Sequence, residues 1–361
     1  SLAAGLLDSP ISTFSGGFRE SDIYDETRYA RIVAERCGTD HHEIFPEAQD
    51  FVDVMPGLMY QLDQPLAGPG VFPQLLVSRM ARERVKVVLG GQGGDEIFGG
   101  YTRYLIAYLE QSLKGGIEGT QEEDKYVVTF DSILPNLRQI DGYQPLLRHF
   151  WREGLFQSED RRYMRLIDRS SAMAAYINPD LLPADGEYDL YGEYRELFHG
   201  ANCRSLINKM TRFDMQTLLP ALLHVEDRTS MSVALESRVP LLDHRIAQLV
   251  ASMPPKVKYK GGRSKHILRN VARHIVPPEI SNRKDKMGFP VPLSDWLERG
   301  PVREFVRDTL LGDQVRRRGI VRVDAVESLL DREQSFGRGV WGLLSLELWQ
   351  QAFFDAPVAA S

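Results

Sequence analysis

The stretch VKVVLGGQGGDEIFGGY, Val85 to Tyr101, constrains this chain more than any other. Its β-branched opening reads as a buried parallel strand, since strands covered on both faces lack the polar alternation of half-exposed ones. Gly90, Gly91, Gln92, Gly93 and Gly94 then expose backbone, and a helix begins at Asp95. Bare glycine backbone lets N–H groups turn toward an anion, and the start of a helix adds a favourable field. An acidic residue there can bind Mg²⁺ carried by phosphates. Two other phosphate loops do not fit: Glu96 occupies the sixth position of a dinucleotide fingerprint starting at Gly91, and the Gly-Lys-Ser/Thr of a Walker loop is absent. On these residues alone, an anion site and a glycine turn without a ligand both remain open.

The first hundred residues alternate in the α/β manner. ISTFSGGF reads as a short strand ending in glycine, and HHEIF as the next. Between them Asp25 can cap a helix from Glu26 to Cys37, with Tyr29, Ile32 and Val33 on one face and Gly38 as its stop. A second helix is expected over roughly Pro73 to Arg84. From Tyr101 to about Cys203 the pattern is helical and irregular, with KGGIEGTQEED as an exposed loop, and from Ser205 to Phe354 helices dominate.

Composition excludes several classes of function. With 44 Lys and Arg against 50 Asp and Glu, the net charge is −6, so no global basic field points to nucleic acid. Arg316, Arg317 and Arg318 read as a solvated face. No apolar run approaches the ~18 residues needed to span a bilayer. Cys37 and Cys203, without metal-ligand spacing, read as free thiols in a reducing compartment, which implies the cytoplasm. The chain opens at Ser1 inside a helix-like SLAAGLL, the expected appearance of a piece cut from something longer.

Four further stretches carry chemistry. FSGGF, Phe14 to Phe18, resembles the start of the Ser-Gly-Gly-x-Asp-Ser pyrophosphate loop, but Arg19 stands where that loop requires Asp. Phe213 to Arg245 combines Leu218, Leu219, Leu222 and Leu223 on a buried helix face with Asp214, Asp227, Arg228, Glu236, Arg238 and Asp243, which read as a network of paired, partly buried ions fixing the helices. Lys265 opens a helix with apolar face Ile267, Leu268, Val271 and Ile275; surface decoration and an anion-facing loop built with Lys260 and Arg263 are both open. RKDKMGFPVP, Arg283 to Pro292, is a basic loop of the same sort.

Taken in order, TFSGGF…DETRYARIVAERCGTDHHE, LDQP, VVLGGQGGDEIFGGY, DMQTLLP…DRTSM…ESRVPLLDH, GGRSKHILR and RKDKMGFPVP resemble the synthetase domain of the glutamine-hydrolysing asparagine synthetases, itself similar to β-lactam synthetases. About Ile106 to Leu206 matches poorly. The resemblance implies an α/β adenine-nucleotide hydrolase-like (PP-loop ATP pyrophosphatase) parallel sheet with helices on both faces, followed by a mainly helical C-terminal half. It divides the chain into a nucleotide-binding part over 1–105, a helical segment over 106–206 and a helical substrate and pyrophosphate part over 207–361. FSGGF then matches the family's second strand. The true phosphate loop, the first strand and an N-terminal glutaminase domain all lie upstream of Ser1, and a chain without them is expected to be inactive by itself.

The activity implied is an ATP-dependent amide ligase. It adenylates the side-chain carboxylate of aspartate or a related acid, releases pyrophosphate, and lets ammonia from glutamine attack. ATP and Mg²⁺ are the cofactors, a homodimer is a candidate assembly, and neither nucleic acid nor a membrane is a partner. Carried over by position, Phe14, Gly16, Gly17, Gly90, Gly91, Gly93 and Gly94 would contact the nucleotide, Asp95 would ligate Mg²⁺, and Lys265 would stabilise charge on the α-phosphate and leaving pyrophosphate. Gln92 departs from the pattern. Asparagine synthetases carry a carboxylate there, suited to taking a proton from ammonium, whereas an amide can orient by hydrogen bonds but cannot accept that proton. A ligase of secondary metabolism that adenylates another carboxylate is therefore the alternative.

Overall fold

The computed structural model describes residues 1–361 except 66–67, 119–150, 152–153, 155, 183–187, 201–202, 204, 261–262, 284–287, 334–336 and 356–361. Its strands form two parallel pairs. β1 (Ser12–Gly16) pairs with β2 (Asp40–Ile44), Phe14 opposite His42, and β3 (Val87–Leu89) pairs with β4 (Glu236–Arg238), Val88 opposite Ser237. β4 comes from the helical C-terminal half, so stretches about 150 residues apart share one sheet pair.

The helix between β1 and β2 forms as its residues dictate. α1 (Thr27–Cys37) begins where the Asp25 carboxylate accepts the Thr27 N–H at 2.8 Å, and ends at Gly38 in the left-handed region, φ 61°. α2 (Ala48–Gln61) carries a capping box between Glu47 and Asp50 and buries Phe51, Met55, Leu58 and Met59, spaced for one helical face. α3 (Val71–Arg82) starts and ends two residues before the sequence expectation and buries Phe72, Leu75 and Leu76.

Beyond β3 come a short α4 (Gly94–Phe98) and α5 (Thr102–Glu118). The start of KGGIEGTQEED, up to Glu118, therefore continues a helix instead of forming a loop; the rest lies outside the described residues. α6 (Glu159–Ile167) and α7 (Leu190–His199) pack with α8 (Leu206–Gln216) around Tyr163, Tyr194, Phe198 and Phe213. α9 (Leu218–Met231) follows after a break at Thr217, then α10 (His244–Ser252), α11 (His266–Ala272), α12 (Pro301–Leu311) and α13 (Gly339–Gln350).

The largest core joins the two ends of the chain. Phe51 of α2 and Phe72 of α3 stack edge-on with Trp296 at 5.9 Å and 6.1 Å, and Phe51 also meets Trp341 of α13. Each such aromatic removes on the order of 150–250 Å² from water, so this cluster fixes the last helices against the first ones.

Four expectations need correction. β3 is not buried: Val87 and Leu89, which share one face of the strand, are exposed, because among the described residues that face is left uncovered. The charges of Phe213 to Arg245 are mostly solvated, since their pairs are local: Glu236 with Arg238, Asp243 with Arg245, and Arg228 with Asp63. Asp214 alone is buried, and takes hydrogen bonds from Arg103, Tyr104 and Tyr163 of the helical layer. Arg318 leaves the solvated face of its neighbours to pair with Glu347 and Asp355, and Val271 is exposed because α11 turns it away from the small core of Ile97, Phe98 and Val250 that holds Ile267 and Leu268.

Candidate active site

The glycine loop emerges from β3 with its backbone already committed. Gly90 N–H donates to Arg238 O at 2.8 Å, extending the β3–β4 pairing by one residue. Gly93 then adopts φ 88°, a conformation that a side chain resists, and a Cβ there would overlap Leu242. This reversal aims the chain into α4, which places Asp95 in its first turn.

Asp95 meets Lys265. The Lys265 ammonium stands 2.8 Å from Asp95 Oδ1, with both side chains largely shielded. Lys265 sits just before α11 with φ 53° and ψ 35°, left-handed backbone that costs an L-residue about 1–2 kcal/mol. It is thus outside the helix it was expected to open. Gly100 leaves the space for the pair, since a Cβ there would overlap Asp95 Oδ1 and Lys265 Cε. Strained non-glycine backbone held by a close ion pair is the kind of local cost that clusters at functional sites.

A basic rim surrounds the pair. Arg269 donates to Ser264 O at 3.1 Å and to Ser281 O and Arg283 O at 2.9 Å, tying the loop before α11 to the loop after it. Burial lowers the Arg269 pKa, Arg263 and Arg283 lower it further, and Asp95 opposes them. Burial also lowers His266, together with Lys260 and Arg263. Arg283 reaches Glu26 and lies over the Tyr29 ring at 3.5 Å, so the C-terminal basic loop closes against the helix that follows β1.

The second cluster lies under the loop. Glu226 of α9 receives hydrogen bonds from Gln74 of α3, from Gln92 at 3.3 Å and from Ser237 of β4 at 2.5 Å. A Cβ at Gly90 would stand 3.2 Å from Glu226 Oε1, so this carboxylate sets how bare the loop must be. Glu226 was not among the sequence candidates. Its neighbours come from three distant stretches, and nothing in VEDRTSM alone distinguishes it from the exposed Asp227 beside it.

Phe14, Gly16 and Gly17 end β1. Phe14 stacks on His42 at 5.5 Å, and a Cβ at Gly16 would stand 3.1 Å from Val77 of α3 and 3.5 Å from Phe289. Gly17 is closed in by Asp25 and Thr27. Val77 is one helical turn from Gln74, so α3 carries both the end of β1 and the carboxylate beneath the glycine loop. The carboxyl ends of β1 and β3 therefore share one supporting helix, the end of a parallel sheet at which ligands bind in open α/β folds. Gly91 has nothing within 4 Å of an added Cβ and faces open space. Just beyond Gly17, Arg19 lies over the Phe45 ring at 4.9 Å.

As a metal site, Asp95 offers one carboxylate, and among the described residues no group of three or more His, Cys, Asp or Glu could hold an ion. That donor set suits Mg²⁺ that keeps most of its ligands from phosphates and water. No helix among the described residues is long and apolar enough to cross a membrane.

The chain is similar to known proteins. The family model described as asparagine synthase matches residues 1–351. The putative glutamine-hydrolyzing asparagine synthetase of Mycobacterium tuberculosis (strain ATCC 25618 / H37Rv) is 29% identical over 360 residues, covering 96% of this chain and 52% of the relative. Glutamine-hydrolyzing asparagine synthetase 1 of Bacillus subtilis (strain 168) is 28% identical over 351 residues, 94% of this chain and 52% of the relative. A more distant relative from Gibberella zeae, amidase chry2, is 23% identical over 350 residues, 90% of this chain and 50% of the relative. The chain spans about half the length of these curated relatives.

Proposed function

The chain belongs to the asparagine synthase family, and on that premise we propose that it is the ligase part of a protein that joins ammonia to a carboxylate activated by ATP, with aspartate as the carboxylate and asparagine as the product. The observation that carries the reading is the Lys265–Asp95 pair at 2.8 Å, brought by tertiary folding to the end of a glycine loop. A cation and a carboxylate at that point suit the two demands of adenylation, holding phosphate charge and holding its metal. Asp95 would hold Mg²⁺, which neutralises phosphate charge when bound; Lys265 would then turn from Asp95 to the phosphate oxygens. Phe14, Gly16 and Gly17 would border the nucleoside, and Gly90 to Gly94 its phosphates.

The PP-loop sheet belongs to the same proposal. One further strand, supplied upstream of Ser1 with its phosphate loop, would pair with the edges of β1 and β3 that have no strand neighbour among the described residues. The division into 1–105, 106–206 and 207–361, a glutaminase domain as ammonia source and a cytoplasmic setting suited to the free thiols of Cys37 and Cys203 complete the reading. A second reading, a different carboxylate in secondary metabolism, is favoured by one observation: Gln92 replaces the carboxylate expected of an asparagine synthetase.

ATP–pyrophosphate exchange on the full-length protein, with aspartate and a panel of other carboxylic acids, tests both. Exchange that depends on aspartate supports the first; exchange with another acid alone supports the second. No exchange with any acid refutes the ligase class.

A further inference from the structure

From the arginines gathered beside Gly68 we infer that Arg338, backed by Arg169, binds a second carboxylate of the acyl substrate, so that the protein takes acids with one carboxylate to activate and another to hold. The inference rests on the ligase reading and adds to it the group that selects the acid.

Arg338 immediately precedes α13 and reaches the stretch that leads into α3. A Cβ on Gly68 would stand 3.6 Å from the Arg338 Cζ and 3.8 Å from each terminal nitrogen. A point equally far from both nitrogens, and nearer to the carbon, lies over the flat face of the guanidinium. Gly68 therefore covers a face and leaves the N–H edge, where the donors lie, to the cleft. Six residues on from Gly68, Gln74 donates to Glu226, which holds Gln92. That separation is on the order of 10 Å along a helix, which a small dicarboxylic acid spans with a hydrogen bond at either end.

The charges around Arg338 are unbalanced. Among the described residues neither Arg338 nor Arg169 has a carboxylate partner, whereas Arg31, Arg162, Arg283 and Arg318 each have one. Glu333, close by in sequence, is engaged by the N–H groups of Gly339 and Val340 at 3.2 Å. Arg103 is bound to Asp214 and lies over the ring of Tyr101, the last residue of the glycine stretch, at 4.0 Å. Burial lowers the Arg338 pKa, Arg169 and Arg103 lower it further, and Tyr101 opposes them. Arg338 is nevertheless open to water, and a side chain that is both crowded by protein and exposed stands in a cleft. The phosphates of ATP have Lys265 and the glycine loop; the negative charge left for Arg338 is on the acid. A guanidinium edge meets a carboxylate through two parallel hydrogen bonds, which fixes orientation as well as charge.

The test is ATP–pyrophosphate exchange by the full-length protein with aspartate and with 3-aminopropanoate, which is aspartate without the carboxylate that is not activated. The wild type should favour aspartate in kcat/KM. Arg338→Met should raise the KM for aspartate and cut that preference roughly 10²-fold, the scale of truncating one partner of a charged hydrogen-bonded pair. Exchange with 3-aminopropanoate and the KM for ATP should stay within about threefold, which also shows that the variant folds. Arg338→Lys keeps the charge without the fork and should fall between, and Arg169→Met should act in the same direction more weakly. An unchanged preference in Arg338→Met would overturn the inference. An equal rise in the KM for ATP would also overturn it, by giving the arginine to phosphate. A wild type that exchanges best with an acid of a single carboxylate would overturn it and leave the ligase reading standing. No exchange with any acid would take down the ligase reading, and this inference with it.

Discussion

Lys265 joins a backbone cost to a chemical role, and two substitutions separate them. Both Lys265→Ala and Lys265→Gly remove the ammonium that stands 2.8 Å from Asp95. They differ in the backbone. At φ 53° alanine keeps the left-handed cost of about 1–2 kcal/mol that lysine bears, and glycine does not. Glycine gives back about 0.5–1 kcal/mol through the greater freedom of the unfolded chain. The glycine variant should therefore be more stable than the alanine variant by about 0.5–1 kcal/mol, although alanine is the better residue in nearly every other setting. Urea unfolding reads this as a higher midpoint at unchanged slope. Pyrophosphate exchange by the full-length variants should fall in both by the same factor, roughly 10²-fold or more, as expected for losing one charge contact in the transition state. An alanine variant as stable as the glycine variant would show that the left-handed geometry is absent from the protein in solution. Exchange within threefold of wild type in either variant would make Lys265 a structural cation.

Two more substitutions probe the neighbourhood. Lys258 is 3% exposed with no ion pair among the described residues, and burial lowers its pKa from 10.5 to about 8, with Cys203 opposing. The lowered value means that the unfolded state binds more protons between pH 8 and 10.5, so stability should rise with pH across that window while the full cost persists below it. At about 1.4 kcal/mol per unit the cost is at most on the order of 3 kcal/mol. Lys258→Met should gain about 1–3 kcal/mol at pH 7 and flatten the rise, and identical pH profiles for both proteins would contradict the assignment. Gly100→Ala drives a methyl into Asp95 Oδ1 and Lys265 Cε, and should lower pyrophosphate exchange at least tenfold with circular dichroism unchanged. Unaltered exchange would mean that the pair is not needed where it stands.

Much of this protein was legible in its residues, because local rules decide local structure. Asp25 and Gly38 bound α1 through capping and a left-handed stop, and glycine at 93 marked the turn into α4. α2 was readable and overlooked: Glu47 and Asp50 form its capping box, and Phe51, Met55, Leu58 and Met59 repeat at helical spacing. The family pattern pointed to Asp95 and Lys265 as members of one site. Tertiary structure decided what depends on groups distant in sequence. Whether β3 was covered turned on its neighbours, and hydrophobic residues alone could not say that Val87 and Leu89 would stay exposed. Which charges of Phe213 to Arg245 were buried turned on the helical layer that folds over Asp214 and leaves Glu236, Arg238 and Asp243 in water. Glu226 is the sharpest case. Its stretch was singled out for the charges beside it, and its own character comes from Gln74, Gln92 and Ser237, which only the packing of α3, the glycine loop and β4 brings to one carboxylate.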